Sequence, residues 1–435
     1  MNFPHTSDPD FSVRNKLNGH HHRLFIDNSY NNIGHDSLRG GRKYAFIRSD
    51  KWGCHGWWTL IEPQVYFEQH PEWYALINGE RTHISPNYPI STLCLSNEEM
   101  RAELINNAKL ALRWNPHATA LSVSQPDDGG PPSRCQCGPC TAVEKEGNPS
   151  ELITRFVNAV AEELEKNFPD VSISTLAYHY SQKPPKITRP HDNVFVRLNS
   201  IKCSFSRPMT DTRNAPFRGD VEGWAKICNR LHIWDYVVNF TYPIPHPNLR
   251  VLGDNMRYYV DHSVKGMFCE ASPPAEVAEL RTWLLAKLMW NPAADVEQLI
   301  DTFCGGYYGP AGSHIVDYLD VMHDAVEASD DFLGLSSRPD ADFLSFETLS
   351  QAWHHLQEAE AAVAGDAVFG PRVQLAQFPT MFVFFYQFDD LRSKAEQAGV
   401  RWPMPATQKE LHAEIRGLAA AQGINLRSTS SPIPF

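Results

Sequence analysis

Three carboxylic acids sit where apolar runs end. Asp127 and Asp128 follow ALSVSQP, and Glu270 closes VKGMFCE. Paired carboxyls are the working groups of glycoside hydrolysis. One protonates the leaving oxygen, and a second group across the anomeric carbon acts as nucleophile, base or orienter of a substrate acetamide. Pro126 fixes the backbone angle just before Asp127 and aims the acid. Gly129 and Gly130 let the chain turn away beneath it. Glu270 follows apolar residues, where burial raises a carboxyl pKa toward that of a useful general acid. Each acid also has a plainer reading: a turn or cap residue for Asp127 or Asp128, half of a buried ion pair for Glu270. The catalytic assignment is Asp127 and Glu270, with Asp128 in reserve.

The elements that must hold these acids alternate. Strand candidates cover residues 120–125, 172–180, 193–200, 231–240 and 264–270, each short, rich in β-branched or aromatic residues and bounded by Pro, Asp, Asn or Gly. Helical patterns fill the spaces between them. SNEEMRAELINNAKLALRWNP opens with Ser96 and Glu99 at capping-box spacing. The next helix starts at Pro149, which suits a first helical turn. Strand and helix in alternation mean parallel strands with crossover helices. No Gly-x-Gly-x-x-Gly follows a strand, which removes the main support for a dinucleotide fold. The expected architecture is α/β, a (β/α)8 TIM-type barrel. RNKLNGHH and the segment around KWGCHGW supply two earlier strand ends, which makes seven strands. The first strand is therefore expected to be missing or atypical. The chain divides into a barrel domain over 1–310, a helical region over 311–428 and a disordered tail over 429–435. Within the helical region, residues 313–330, 344–364 and 371–398 read as three long helices.

In parallel α/β folds, functional side chains gather at the C-terminal ends of strands. Here those ends carry His20, His55, Asp127 with Asp128, Tyr178, His179 and Tyr180, Arg197 with Asn199, Asp235 and Tyr236 with Asn239, and Glu270. Acids, amides, histidines and aromatic rings describe a carbohydrate site, because sugars need polar contacts to hydroxyls and flat apolar faces to stack on. His20, His55, Tyr178, His179, Tyr180, Arg197, Asn199, Trp234, Asp235 and Asn239 are the expected substrate-binding set. No glycine loop or Arg/Lys cluster suited to phosphate is present.

The chain has nine cysteines. Cys54, Cys94, Cys203, Cys228, Cys269 and Cys304 stand singly and read as buried thiols. Cys135, Cys137 and Cys140 are compact but offer only three sulfurs, with no obvious fourth ligand nearby. Zinc, a local disulfide or reduced thiols all fit that spacing, and the first two would brace the loop that carries Asp127. The histidines of GHHHRL point alternately along an extended segment and read as solvated or pocket-lining rather than as ligands. No cofactor is expected.

Net charge is −12 over 435 residues, which disfavours nucleic acid and anionic membranes as partners. No apolar run reaches the roughly 18–20 residues of a membrane span. The N-terminus lacks a charged segment followed by an apolar one, so the expectation is a cytoplasmic protein or a chain given without its leader.

Taken in order, YFEQHPEWYALINGERTH, LCLSN, LSVSQPDDGG with CQCGPC, TLAYHYSQKPPK, NVFVRLNSIKCSFSRP, LHIWDYVVNF and SVKGMFCE resemble the bacterial domain of unknown function 4838, a group that overlaps glycoside hydrolase family 163. The resemblance covers roughly residues 10–310. It implies a (β/α)8 glycosidase of endo-β-N-acetylglucosaminidase type, retaining, with help from the substrate's own acetamide. Asp127 corresponds to that family's acid after SQ, and Glu270 to its glutamate after the last strand. The family has Asn where this chain has Pro126, and an aromatic residue where it has Asp128. Members usually carry an N-terminal β-rich domain and a secretion signal, which implies a secreted or periplasmic protein if the leader is missing. The expected partner is a glycan or glycoprotein. A non-catalytic glycan-binding protein on a degenerate barrel is the reading from another class. A metal-dependent hydrolase built on the cysteine or histidine clusters is a third.

Overall fold

A computed structural model of the chain describes residues 55–83, 92–114, 116, 118–127, 134–270 and 276–421. The candidates His20, Cys54 and Asp128, the strand end in RNKLNGHH and the tail from 429 lie outside the described residues.

The chain is mixed α/β. A small hairpin joins β1 (Leu76–Ile77) to β2 (Glu80–Arg81). Asn78 and Gly79 turn it at φ +53° and +89°, the pair of positive angles that a two-residue hairpin requires. Five strands follow: β3 (Ala120–Ser122), β4 (Ser172–Ala177), β5 (Val194–Asn199), β6 (Leu231–Tyr236) and β7 (Gly266–Glu270). They form one parallel sheet in the order of the chain, each strand beside the next. A doubly wound sheet would reverse direction at some point. Consecutive order instead winds one way, as in half of a barrel. All six residues of β5 and of β6 are buried, so both faces of the sheet are covered.

Helices Pro149–Glu165, Ala215–Ala225 and Leu249–Asp261 cross between strands. The β4–β5 connection carries only a short turn at His179–Ser181 and then an irregular segment. Residues Trp57–Leu60, in the second segment expected to hold a strand end, form a helical turn instead. The Pro149 helix begins as expected, with Asn148 Oδ1 accepting from Glu151 N at 3.1 Å. The helix Glu98–Trp114 does not use the expected Ser96 cap. Asn97 Oδ1 accepts from Met100 N at 2.9 Å, and the Ser96 hydroxyl points to Cys140 Sγ at 3.2 Å.

The C-terminal helices run over Val296–Tyr307, Gly312–Ala328, Phe346–Ala362, Phe369–Tyr386, Phe388–Ala398 and Gln408–Ala421. The single helix expected over 371–398 is broken at Gln387, which leaves helical backbone while its side-chain amide donates to Pro339 O at 2.7 Å. One continuous apolar core joins the helix-facing side of the sheet to these helices. Arg207, in the loop after β5, caps the end of Gly312–Ala328, donating to Val326 O at 3.0 Å and Ser329 O at 2.7 Å. The segment after that helix lies against the loops that follow β5 and β6: Phe205 N donates to Leu333 O, and Phe240 N to Leu335 O. The C-terminal region thus packs against loops at the C-terminal edge of the sheet.

Candidate active site

Side chains along a strand alternate between faces, and the strand register carries that parity across this sheet. Arg197 pairs with His232, Asn199 with Trp234, Trp234 with Phe268 and Tyr236 with Glu270. One face therefore holds Phe195, Arg197, Asn199, His232, Trp234, Tyr236, Phe268 and Glu270. Contacts agree with that parity. Phe195 stacks on His232 with centroids 4.6 Å apart, Trp234 meets Phe268 edge-on at 4.5 Å, and the Arg197 guanidinium lies 6.0 Å from the Trp234 ring centroid. The other face, with Val196, Leu198, Ile233 and Met267, joins the apolar core.

Asp127 comes four residues beyond Ala120–Val123. That stretch continues the parallel pairing through Val123 N to Ser174 O at 2.8 Å. Gln125 fixes the exit: its amide donates to Ser181 Oγ at 2.8 Å and Leu176 O at 3.3 Å. The carboxyl of Asp127 is exposed, and its Oδ1 accepts from the Tyr178 hydroxyl at 3.0 Å. His55 sits beside this pair. Its backbone is left-handed at φ +57°, its N–H donates to Ser124 Oγ, and its Nδ1 lies 2.6 Å from Gln125 O. Burial lowers the His55 pKa, while Asp127 and the Gln125 carbonyl pull the other way.

Glu270 is the buried acid of the group, 8% exposed. Trp234 Nε1 donates to its Oε2 at 2.7 Å. Burial raises its pKa from 4.5 to about 7. The negative charge of Asp127 pushes the same way, and hydrogen bonds from Trp234 and Tyr236 oppose it. Tyr236 also hydrogen-bonds Tyr178, whose own pKa is raised by burial and then by Asp127. Asp127, Tyr178, Tyr236, Glu270 and Trp234 therefore form one connected network. A proton is available at Glu270 near neutrality, and a second carboxyl stands at the other end of two phenols.

Other candidates are placed differently. Asp235 has the opposite parity from Trp234 and Tyr236. Its Oδ1 accepts from Ser200 Oγ at 2.6 Å, and its charge acts on the buried Tyr259 of the helix Leu249–Asp261. Burial there raises its pKa to about 6. The structure thus separates Asp235 from the residues it was grouped with. Asn239 anchors a loop: its amide donates to Ser337 O at 2.7 Å and its Oδ1 accepts from Thr241 N and Tyr242 N. Asn199 Oδ1 accepts from Ile201 N at 3.1 Å. His179, at φ +49°, packs its ring on Tyr178 with centroids 3.8 Å apart. Tyr180 lies under the Arg134 guanidinium, 5.7 Å from the ring centroid. Tyr236, His232 and Phe268 were not among the expected binding residues, although strand parity from Trp234 and Glu270 points to all three.

Among the described residues, two groups of side chains have the spacing to ligate a metal. They are Cys94, Cys135, Cys137 and Cys140, and His314, His355 and Glu358 on the C-terminal helices. Neither contains Asp127 or Glu270. No helix among the described residues is long and apolar enough to cross a membrane.

Comparison with known proteins places the chain in a family. The profile described as "Domain of unknown function (DUF4838)" matches residues 2–320, and the chain belongs to that family. No curated protein matches it. Among solved structures, it is similar to one titled "Structure of CpGH84B", at 11% identity over 76% of this chain and 58% of that one, with a TM-score of 0.37. It is also similar to the structure of a "GH138 enzyme targeting pectin rhamnogalacturonan II", at 8% identity over 78% of this chain and 54% of that one, with a TM-score of 0.33. Both are glycoside hydrolases. The chain spans little more than half the length of either.

Proposed function

We propose that this protein is a glycoside hydrolase acting on glycans that contain N-acetylglucosamine, in the manner of an endo-β-N-acetylglucosaminidase, and that its five parallel strands are the consecutive part of a (β/α)8 barrel. The observation that carries the reading is Glu270: a buried carboxyl near pKa 7, linked through Tyr236 and Tyr178 to a second, exposed carboxyl at Asp127. The overlap between the DUF4838 group and glycoside hydrolase family 163 supports the same class.

Glu270 gives its proton to the glycosidic oxygen as the bond to the anomeric carbon breaks. The carbonyl oxygen of the substrate's acetamide attacks that carbon and closes a cyclic intermediate. Asp127, oriented by Tyr178, holds the acetamide N–H and stabilises the positive charge that develops there. Water then opens the ring, and Glu270 takes a proton back. Trp234, Phe268 and His55 offer flat surfaces to the sugar, and Arg197 and Asn199 offer donors.

The test is digestion of a complex N-glycoprotein by wild type, Asp127→Asn and Glu270→Gln, with released glycans read by mass spectrometry. Wild type is expected to release glycan, and each variant to lose at least about a hundredfold in rate. Wild-type protein that binds the glycans without cleaving them would replace this reading with the glycan-binding one. Release that persists in both variants would remove these carboxyls from the chemistry.

A further inference from the structure

Two segments more than forty residues apart in sequence converge on four sulfurs. Cys94 comes from the extended stretch that bridges Tyr74 at Leu93. Cys135, Cys137 and Cys140 come from the stretch that leads into and through the start of the helix Gly138–Glu146. All four are buried, and their Sγ atoms all lie within 4.8 Å of one another. Cys94 Sγ is 3.6 Å from Cys137 Sγ and 3.9 Å from Cys140 Sγ. The fourth sulfur missing from the Cys135-x-Cys137-x-x-Cys140 spacing is thus Cys94, which by sequence stood alone.

These separations match one kind of occupant. Four thiolates around a tetrahedral ion with bonds of ~2.3 Å stand about 3.8 Å apart. Bonded sulfurs would be much closer. A polynuclear iron–sulfur cluster, whose thiolates bind different irons, would need them further apart. We propose that Cys94, Cys135, Cys137 and Cys140 bind one Zn²⁺ in a closed, structural four-cysteine site. Binding releases the thiol protons and involves no redox change.

The surroundings suit a thiolate-bound ion. Leu76 N donates to Cys135 Sγ at 3.4 Å, and Ser96 Oγ to Cys140 Sγ at 3.2 Å. Arg81 Nη1 lies 3.8 Å from Cys135 Sγ and is held in place by Tyr74 O at 2.7 Å. Four thiolates on Zn²⁺ carry a net charge of −2, which the Arg81 guanidinium partly offsets, while the N–H and O–H donors fix the sulfur orientations. Gln136 N donates to Leu76 O, and Gln136 Oε1 accepts from Asn78 N, so the hairpin is stitched to the same loop. With all four positions taken by protein, the ion has no open site for substrate. Its role is to lock the β1–β2 hairpin, the Leu93–Leu95 stretch and the stretch that carries Cys135 and Cys137 into one unit. This proposal does not depend on the glycosidase reading.

The test is elemental analysis of the full chain purified under reducing conditions without added metal, followed by Co²⁺ exchange. The expected result is one zinc per chain, and Co²⁺ exchange giving the intense visible absorption of a tetrahedral cobalt–thiolate centre. Cys94→Ser is expected to lose most of the metal and to lower the melting temperature. Cys228→Ser, outside the cluster, is expected to keep both. If Cys94→Ser does not fold, the wild-type metal content and cobalt spectrum decide. Wild-type protein with less than about a tenth of an equivalent of zinc that takes up neither Zn²⁺ nor Co²⁺ would overturn the proposal. So would an intact mass showing a disulfide within the four.

Discussion

Glu270 and Glu276 stand six positions apart, both buried, and their surroundings differ in kind. Glu276 is 2% exposed and fully engaged. Its carboxyl accepts from the Tyr318 hydroxyl and from His246 N at 2.7 Å. The buried Arg281 bonds its backbone carbonyl, and the guanidinium charge acts on its carboxyl. Arg281 also reaches Asn248 Oδ1 and His246 O, which ties the start of the helix Ala278–Trp290 to the loop after β6. Glu270 has an indole and a phenol as donors and a second carboxyl as its charged neighbour. Burial raises both pKa values, but only Glu276 has a cation opposing that rise. A buried acid answered by an arginine belongs to the fold. One facing another acid is a cost to the fold, and such costs concentrate at functional sites.

The largest effect that tests this contrast belongs to Glu276. Glu276→Gln keeps one acceptor oxygen, replaces the other with an NH2 donor and leaves Arg281 without a balancing charge, and is expected to destabilise by about 3–5 kcal/mol in urea unfolding. A loss under about 1 kcal/mol would mean that the arginine does not need the acid.

Glu270→Gln is expected to do the reverse at alkaline pH. The native state holds the Glu270 proton more tightly than the unfolded chain does. Its stabilising contribution is therefore full below pH 4.5, falls as pH rises toward 7, and is gone above that. Glutamine keeps the acceptor for Trp234 and carries no charge. Near pH 8 the variant should be more stable than wild type by about 3 kcal/mol, and near pH 4 about equal to it. Asp235, also raised by burial, titrates in a nearby window. It is common to both proteins, so the difference between them isolates Glu270. Equal melting temperatures at both pH values would place Glu270 in an ordinary environment.

Smaller effects sharpen the site itself. Tyr178→Phe removes the hydrogen bond to Asp127 and is expected to cost about 1 kcal/mol of transition-state stabilisation, read as roughly a fivefold drop in kcat/KM. An unchanged rate would separate Tyr178 from the chemistry. Trp234→Phe removes the donor that favours ionised Glu270. It is expected to move the alkaline limb of the pH–rate profile upward by about half a unit. A downward shift would mean that the indole acts mainly by excluding water.

Much of this was legible in the sequence, and the reason is periodicity. Each of the five central strands falls inside its expected span, because short β-branched runs bounded by turn residues have few other solutions. Parity within a strand carries further information. Trp234 and Asp235 are adjacent and cannot both face one side, so choosing Trp234 selects Tyr236 and turns Asp235 toward Ser200. The β1–β2 hairpin was signalled by Asn78-Gly79 alone. Two features depended on long-range contact and had no local signal. Cys94 meets the other cysteines across more than forty residues. Ser96 gives up the cap to Asn97 because its hydroxyl serves Cys140 instead.

The central claim is that Glu270 keeps its proton well above the ordinary glutamate range and titrates near pH 7. It is tested most directly by infrared difference spectroscopy of the protonated carboxyl stretch, wild type minus Glu270→Gln, between about pH 5 and 9. A carbonyl band present in wild type, absent from the variant and titrating near pH 7 is the predicted result. A band that titrates at the ordinary glutamate value, or is missing throughout, would contradict it.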